Sequence, residues 1–382
     1  MNRKKVMTVF GTRPEAIKMA PVLERFNQNE KFSLKTVVTA QHREMLDQVL
    51  DLFKIKPAYD LNIMVKSQTL HRVASECISG LEKVLRKERP DLVLVHGDTA
   101  TTLASALASY YCRIPVGHVE AGLRTYDPYN PFPEEQNRRL TDALCTFHLA
   151  PTSRNKENLI KENIDPEGIF VTGNTVIDSL LSTANKDIEP ENEDLKKIEP
   201  SQKIVLLTAH RRENFGEPLK NIYTGVNRLS EKFDNLIFIY PVHKNPNVVK
   251  TVNKYLKKNS RVVLVPPLSY SDTVWLLKKC YFVMTDSGGL QEEAPSFKKP
   301  VLVIRKVTER PEAVQAGTVK VINTDSDSVF KWGEKLMQDR SLYTRFSTAV
   351  NPYGDGKAAQ RIVQFIEYKF KMRKKRPKQW KI

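Results

Sequence analysis

The 382-residue sequence predicts an α/β fold of two doubly wound units. Three observations point there: short apolar runs recur with helical stretches between them, the runs are apolar throughout instead of alternating, and the pattern starts afresh near residue 203. Strands covered by helices on both faces need such uninterrupted runs, so the expected sheets are parallel. In the first unit the runs are residues 6–10, 34–39, 92–96, 116–119 and 147–150. In the second they are 204–208, 236–240, 262–265, 282–285 and 301–304. Residues 175–181 read as a helix, and the polar stretch 185–202, broken by Pro190 and Pro200, marks the division. Expected domains are therefore residues 1–175 and 176–357. Both units open with a strand and then a loop carrying cationic side chains: Arg13 in one, His210, Arg211 and Arg212 in the other. In open α/β sheets ligands gather at the carboxyl ends of strands, so function is expected in a cleft lined by those loops.

Composition narrows the function classes. With 40% apolar and 27% charged residues the chain is an ordinary globular protein. Its net charge of +17 includes eight basic residues and no acid from Lys369 onward. Such a balance suits anionic small molecules as well as nucleic acid or a membrane surface. The basic tail carries only Phe370 and Trp380 as aromatics, which makes it a solvated helix end, not a stacking platform. Cys77, Cys112, Cys145 and Cys280 lie far apart with no Cys-x-x-Cys pair, as reduced thiols do. Residues 6–10 are too short for a signal-peptide core, and no run of about 18 apolar residues occurs, so a cytoplasmic protein without membrane insertion is expected.

The loops carry the chemistry. Strand 282–285 runs into Ser287-Gly288-Gly289 and then a helix, where close backbone approach and free N–H groups favour a phosphate; an ordinary cap by Ser287 is the alternative. Glu292 and Glu293 read as first-turn acids, and Glu293 suits a diol such as ribose. Arg310 follows strand 301–304 with a fork fitted to phosphate oxygens, or to a salt bridge with Glu309 or Glu312. The segment Gly11 to Lys18 lacks the second glycine and the Lys-Ser/Thr pair of a Walker loop, yet it aims Arg13 and Lys18 from a helix start. Asp98, Glu120 and Glu134 follow strand ends or open a helix, and His210 ends the first strand of the second unit. Carboxylates and a histidine in one dry site have the pKa spread that proton transfer near neutral pH requires. His96 and His118, inside strand ends, read as satisfied structural histidines. No metal constellation and no Gly-x-Gly-x-x-Gly fingerprint is present, so neither a metal nor NAD, and no other cofactor, is expected.

Taken together, Gly11-Thr-Arg-Pro-Glu-Ala-Ile-Lys18, His96-Gly-Asp-Thr99, Gly117-His-Val-Glu-Ala-Gly-Leu-Arg124, Pro133-Glu-Glu-Gln-Asn-Arg138, His210-Arg-Arg-Glu-Asn214, Thr285-Asp-Ser-Gly-Gly-Leu-Gln-Glu-Glu-Ala-Pro295, Thr308-Glu-Arg-Pro-Glu312 and Asn351-Pro-Tyr-Gly-Asp-Gly356 closely resemble the non-hydrolysing UDP-N-acetylglucosamine 2-epimerases, from about residue 5 to about 366. The resemblance implies a glycosyltransferase-B-like fold, two Rossmann-like domains about a deep cleft, with a closing helix over 358–382 packing back on the first. It implies a homodimer and the interconversion of UDP-N-acetylglucosamine and UDP-N-acetylmannosamine for cell-surface polysaccharide, without added redox cofactor or metal. By motif, Asp98, Glu120, Glu134 and His210 match the catalytic set; Arg13, Lys18, Ser287, Gly288, Gly289, Glu293 and Arg310 match the nucleotide-sugar contacts.

Two departures bear on that transfer. Several bacterial members hold a second UDP-N-acetylglucosamine through Gln-His-Arg-Gln and Arg-Gln-Thr-Leu stretches. These positions read Gln41-His42-Arg43-Glu44 and Ser67-Gln68-Thr69-Leu70 here, so activation by substrate is expected to be altered or weaker. Arg305-Lys306-Val307-Thr308 replaces a common Arg-Asp-Thr-Thr, changing the charge near Arg310. The rival functions are a hydrolysing epimerase releasing N-acetylmannosamine and UDP, a glycosyltransferase, and a nucleic-acid binder using the basic tail.

Overall fold

The computed structural model describes residues 3–41, 43–65, 68–186, 189–199 and 201–381. The chain forms two compact units, one from residues 1–179 with 353–382 and one from residues 180–352. In the first unit the strands are β1 (Lys4–Phe10), β2 (Phe32–Val38), β3 (Tyr59–Asp60), β4 (Leu92–His96), β5 (Val116–Val119), β6 (Phe147–Ala150) and β7 (Ile169–Val171). They make one parallel sheet in the order β3-β2-β1-β4-β5-β6-β7. In the second the strands are β8 (Lys203–Thr208), β9 (Leu236–Pro241), β10 (Val262–Val265), β11 (Phe282–Thr285), β12 (Val301–Ile304) and β13 (Val319–Ile322), in the parallel order β10-β9-β8-β11-β12-β13.

The double winding and the ten apolar runs are thus as expected, and their burial shows why. Val6, Val9 and Phe10 on β1 and all of Leu92 to Val95 on β4 are closed to solvent, as are Val205 to Leu207 and Phe282 to Met284 in the second unit. Each such side chain contributes about 1.5–3 kcal/mol when taken from water. Both sheets reverse their winding at one place, between β1 and β4 and between β8 and β11. Loops that follow those strands splay apart there and leave a crevice at the strands' carboxyl ends. The loops carrying Arg13, Asp98, His210 and Ser287 are the four that follow these strands.

Beyond residue 357 the chain departs from expectation. The helix Ala358–Lys369 stops where Lys371 takes a left-handed backbone (φ 58°) and the amide of Met372 returns to the Glu367 carbonyl at 2.8 Å. That closure satisfies the last carbonyls and ends the helix. Residues 370–381 are not a solvated helix end but run along β7. The Trp380 amide donates to Val171 O at 2.9 Å, the Val171 amide donates to Gln379 Oε1 at 3.0 Å, and Arg376 pairs with Glu167 at 2.9 Å while covering the Phe365 ring. The basic tail therefore blunts a sheet edge. Among the described residues no helix is long and apolar enough to cross a membrane.

Candidate active site

In the first unit, Thr12 caps the helix Arg13–Asn27, so Arg13 is its first residue and Lys18 lies on its second turn. Lys18 Nζ reaches Glu120 Oε2 at 2.5 Å, and Asn174 Nδ2, just past β7, donates to the same oxygen at 2.9 Å. Lys18, expected beside the nucleotide sugar, is thus placed on a carboxylate. Glu120 follows β5 with φ 69°, a left-handed conformation that costs a non-glycine residue about 1–2 kcal/mol and persists where its surroundings over-determine it. His96 Nε2 lies 3.8 Å from Glu120 Oε2.

Asp98 sits one loop away, because β4 and β5 are neighbours in register, with His96 opposite Val119. Arg138 clamps Asp98 Oδ2 through Nε at 3.0 Å and Nη2 at 2.7 Å, while Asn137 Nδ2 holds the Asp98 carbonyl at 2.9 Å. Both belong to the helix Glu134–Leu144, so Glu134 opens the helix that fixes Asp98. Glu134 Oε2 is buried and takes no hydrogen bond among the described residues. Its neighbour Glu135 is fully engaged, accepting from the amides of Thr125 and Tyr126 and pairing with Arg138.

The two histidines differ. His118 is satisfied, with Nδ1 2.6 Å from Asp142 Oδ1 and Nε2 2.7 Å from the Gly97 carbonyl. Burial pushes the Asp142 carboxyl up, but His118 and Arg124 outweigh it and hold it at about 2. His96, expected to be equally satisfied, has no hydrogen bond on either ring nitrogen among the described residues, and burial pushes its pKa down to about 3. It is a neutral imidazole beside Glu120.

In the second unit the buried Asp286 shapes the loop after β8. Its Oδ2 accepts from the amides of His210 and Arg211, each at 2.7 Å, and from Asn214 Nδ2 at 3.0 Å. The His210 ring stacks on His243 at 5.1 Å and stands 3.7 Å from Asp286 Oδ1. Burial lowers the His210 pKa, with Asp286 opposing. Ser287 precedes the helix Gly288–Glu293, and a Cβ on Gly288 would lie 3.8 Å from the Nη2 atoms of both Arg211 and Arg310. Two guanidinium groups therefore approach the same glycine at a helix start, where positive charge is concentrated. Gly289 beside it is exposed.

Glu292 and Glu293 are not first-turn acids. The helix begins at Gly288 and is six residues long, so they occupy its far end, where they do not confront an anion at its start. Glu292 pairs with Arg310 Nε, the partner that local spacing had assigned to Glu309 or Glu312; Glu293 is buried beside it. Arg305 is buried against Glu213 at 2.6 Å, while Lys306 and Val307 are exposed. Gln41 and Gln68 meet, Gln68 Nε2 donating to the Gln41 carbonyl at 2.9 Å, and Glu44 lies on the helix Arg43–Leu52; His42 and Ser67 fall outside the described residues. Among the described residues no group of three or more His, Cys, Asp or Glu could hold a metal ion. Arg138, Asn174 and Asp286 were given no role from sequence, although two of the three stand inside the motifs quoted above.

Separately clamped carboxylates at neighbouring strand ends and paired guanidinium groups on a second sheet of the same winding sit on a glycosyltransferase-B-like fold, and the relatives make this an enzyme of the nucleotide-sugar isomerase class. A UDP-N-acetylglucosamine 2-epimerase family profile matches residues 24–367. The UDP-N-acetylglucosamine 2-epimerase of Bacillus subtilis is 48% identical over 99% of this chain and 98% of its own. A Staphylococcus aureus MnaA–UDP structure is 50% identical with a TM-score of 0.88 over 99% of this chain and 100% of that one. The Neisseria meningitidis UDP-GlcNAc 2-epimerase bound to UDP-GlcNAc is 48% identical with a TM-score of 0.87, covering 95% and 100%. The chain belongs to the UDP-N-acetylglucosamine 2-epimerase family.

Proposed function

We propose that the protein inverts C2 of UDP-N-acetylglucosamine reversibly and without hydrolysis, giving UDP-N-acetylmannosamine for polysaccharide assembly. The observation that carries this reading is the pair Asp98 and Glu120: two carboxylates on adjacent strand ends, each held by its own cation. The C2 hydrogen is not next to a carbonyl, so deprotonation alone faces a large barrier. An anti elimination avoids it: a carboxylate takes the C2 proton, the C–H electrons form the C1–C2 double bond, and the C1–O bond breaks with its pair leaving on UDP. UDP then adds back to C1 of 2-acetamidoglucal while another acid protonates C2 from the opposite face. Two faces need two proton-handling groups, a task for Asp98, Glu120 and Glu134 together.

Departing UDP gains negative charge, which fixed guanidinium and N–H groups stabilise. Arg310, Arg211 and the Ser287–Gly289 loop suit that role, with Arg13 from the first unit and Glu293 toward the ribose. Burial lowers the His210 pKa, and a diphosphate beside it favours the protonated ring as charge develops. We propose a cytoplasmic homodimer, as the family resemblance implies, with no nucleic-acid partner; the docked tail agrees with that. The test is incubation with UDP-N-acetylglucosamine in D2O followed by proton NMR. Deuterium at C2 of both UDP-sugars with free UDP far below turnover supports the reading; stoichiometric free UDP would replace it with hydrolysis.

A further inference from the structure

Glu15 is 3% exposed, yet among the described residues its hydrogen-bond partners are amides and hydroxyls, not cations. Its Oε2 accepts from the Gly11 amide at 2.9 Å, the Thr12 amide at 2.8 Å and the Thr12 hydroxyl at 2.8 Å. Its Oε1 accepts from the Thr99 hydroxyl at 2.6 Å, and the Thr102 hydroxyl lies between that oxygen, at 3.0 Å, and the His96 carbonyl, at 2.5 Å. A helix cap needs only the bonds to Thr12, which a glutamine also supplies. Burying a carboxylate costs several kcal/mol unless donors replace its water. Burial does raise its pKa, against four opposing hydrogen bonds from Thr99, Gly11, Thr12 and Thr102.

Those donors come from two loops, one on each side of the place where the sheet reverses its winding. Gly11 and Thr12 lead into Arg13; Thr99 follows Asp98 and caps the helix Ala100–Tyr111. The junction leaves no room for slack, since a Cβ on Gly11 would lie 2.0 Å from the Thr39 hydroxyl and 2.8 Å from that of Thr101. We propose that Glu15 is a positioning residue, a buried strut that sets Asp98 against the Arg13 loop and so fixes the geometry of proton transfer. This rests on Asp98 handling the C2 proton. Glutamine keeps an oxygen for Gly11 and Thr12 but replaces Oε1 with an NH2 group, so the hydroxyls of Thr99 and Thr102 must turn from donating to accepting and the tie to the Asp98 loop loses its charge-assisted bonds.

The experiment measures kcat, KM and C2 deuterium exchange with UDP-N-acetylglucosamine for Glu15→Gln, Thr99→Val and Thr99→Ser, alone and, for Glu15→Gln, combined with Asp98→Asn. Glu15→Gln is expected to lower kcat at least tenfold with KM changed less than threefold, and to cost less than a further twofold in the Asp98→Asn background. Thr99→Val, which removes one donor, should lower kcat and Thr99→Ser restore it; this pair decides the matter should Glu15→Gln fail to fold. A kcat for Glu15→Gln within twofold of wild type, losses that multiply in the double variant, or equal rates for the valine and serine variants would overturn the proposal. Wild-type exchange in Asp98→Asn alone would instead sink the reading of Asp98 on which it stands.

Discussion

The two units share one winding, and each opens on a cationic loop, Arg13 in one and His210 to Arg212 in the other, but their other strand-end loops differ in charge. In the first, carboxylates stand at the loops and cations support them: Lys18 holds Glu120 and Arg138 holds Asp98. In the second, cations stand at the loops and carboxylates support them: Glu292 holds Arg310, Asp286 organises His210 and Arg211, and Glu213 holds Arg305. On the proposed function, the same scaffold presents proton-handling groups on one sheet and an anion seat on the other. The supporting partner, not the fold, decides which.

If that contrast is right, the two ends fail differently when altered. Removing a first-unit acid should hurt chemistry most: Asp98→Asn or Glu120→Gln should slow C2 deuterium exchange by about 10²–10⁴-fold while UDP affinity, read by calorimetry, stays within about threefold. Wild-type exchange in both would break the comparison. The second-unit change Arg310→Ala should weaken UDP binding by about 10–100-fold, the loss of a charge-assisted contact, and it also leaves Glu292 buried without its cation. Unchanged UDP affinity there would remove the anion seat.

A third contrast is between the histidines. His96 has its pKa pushed from 6.5 down to about 3, so below pH 6.5 the unfolded chain binds a proton that the folded one refuses. Stability must then fall as pH drops from about 6.5 toward 3, by up to about 1.4 kcal/mol per pH unit from this group. His96→Gln should lose about 2–3 kcal/mol less than wild type between pH 7 and pH 4 in denaturant titrations. His210→Gln should change that slope less, because the His210 side chain is 32% exposed against 3% for His96 and so loses less hydration. Equal acid limbs for wild type and His96→Gln would refute a buried neutral ring. The smallest effect on turnover belongs to the tail: deletion from Arg373 onward should keep kcat within about twofold yet lower Tm by several degrees, since it uncovers the β7 edge.

How much of this was legible in the sequence follows from burial. All ten apolar runs became strands, most of them covered on both faces, although Lys35 on β2 is exposed and Val263 and Leu264 on the edge strand β10 are half-buried. The three strands left unread, β3, β7 and β13, are all sheet edges. Tyr59–Asp60 and Ile169–Val171 are too short to show a period, and the middle of Val319–Ile322 opens to solvent at Lys320. The candidate residues were legible because loops at strand ends must carry chemistry in unusual local sequences. Their partners were not, because Arg138 lies 40 residues from Asp98 and Asn174 lies 54 from Glu120. Only folding brings such pairs together. The misplaced acids Glu292 and Glu293 show the converse, a local reading that set the helix start too near them.

The most direct test of the central claim, that the bond between C1 and the diphosphate breaks and re-forms during inversion, is positional isotope exchange. UDP-N-acetylglucosamine would carry 18O in the oxygen bridging C1 and the β-phosphorus, and its position would be followed by phosphorus NMR as C2 inverts. The account predicts that the label spreads into the non-bridging β-phosphoryl positions. A label that stays in the bridge while UDP-N-acetylmannosamine accumulates would contradict it.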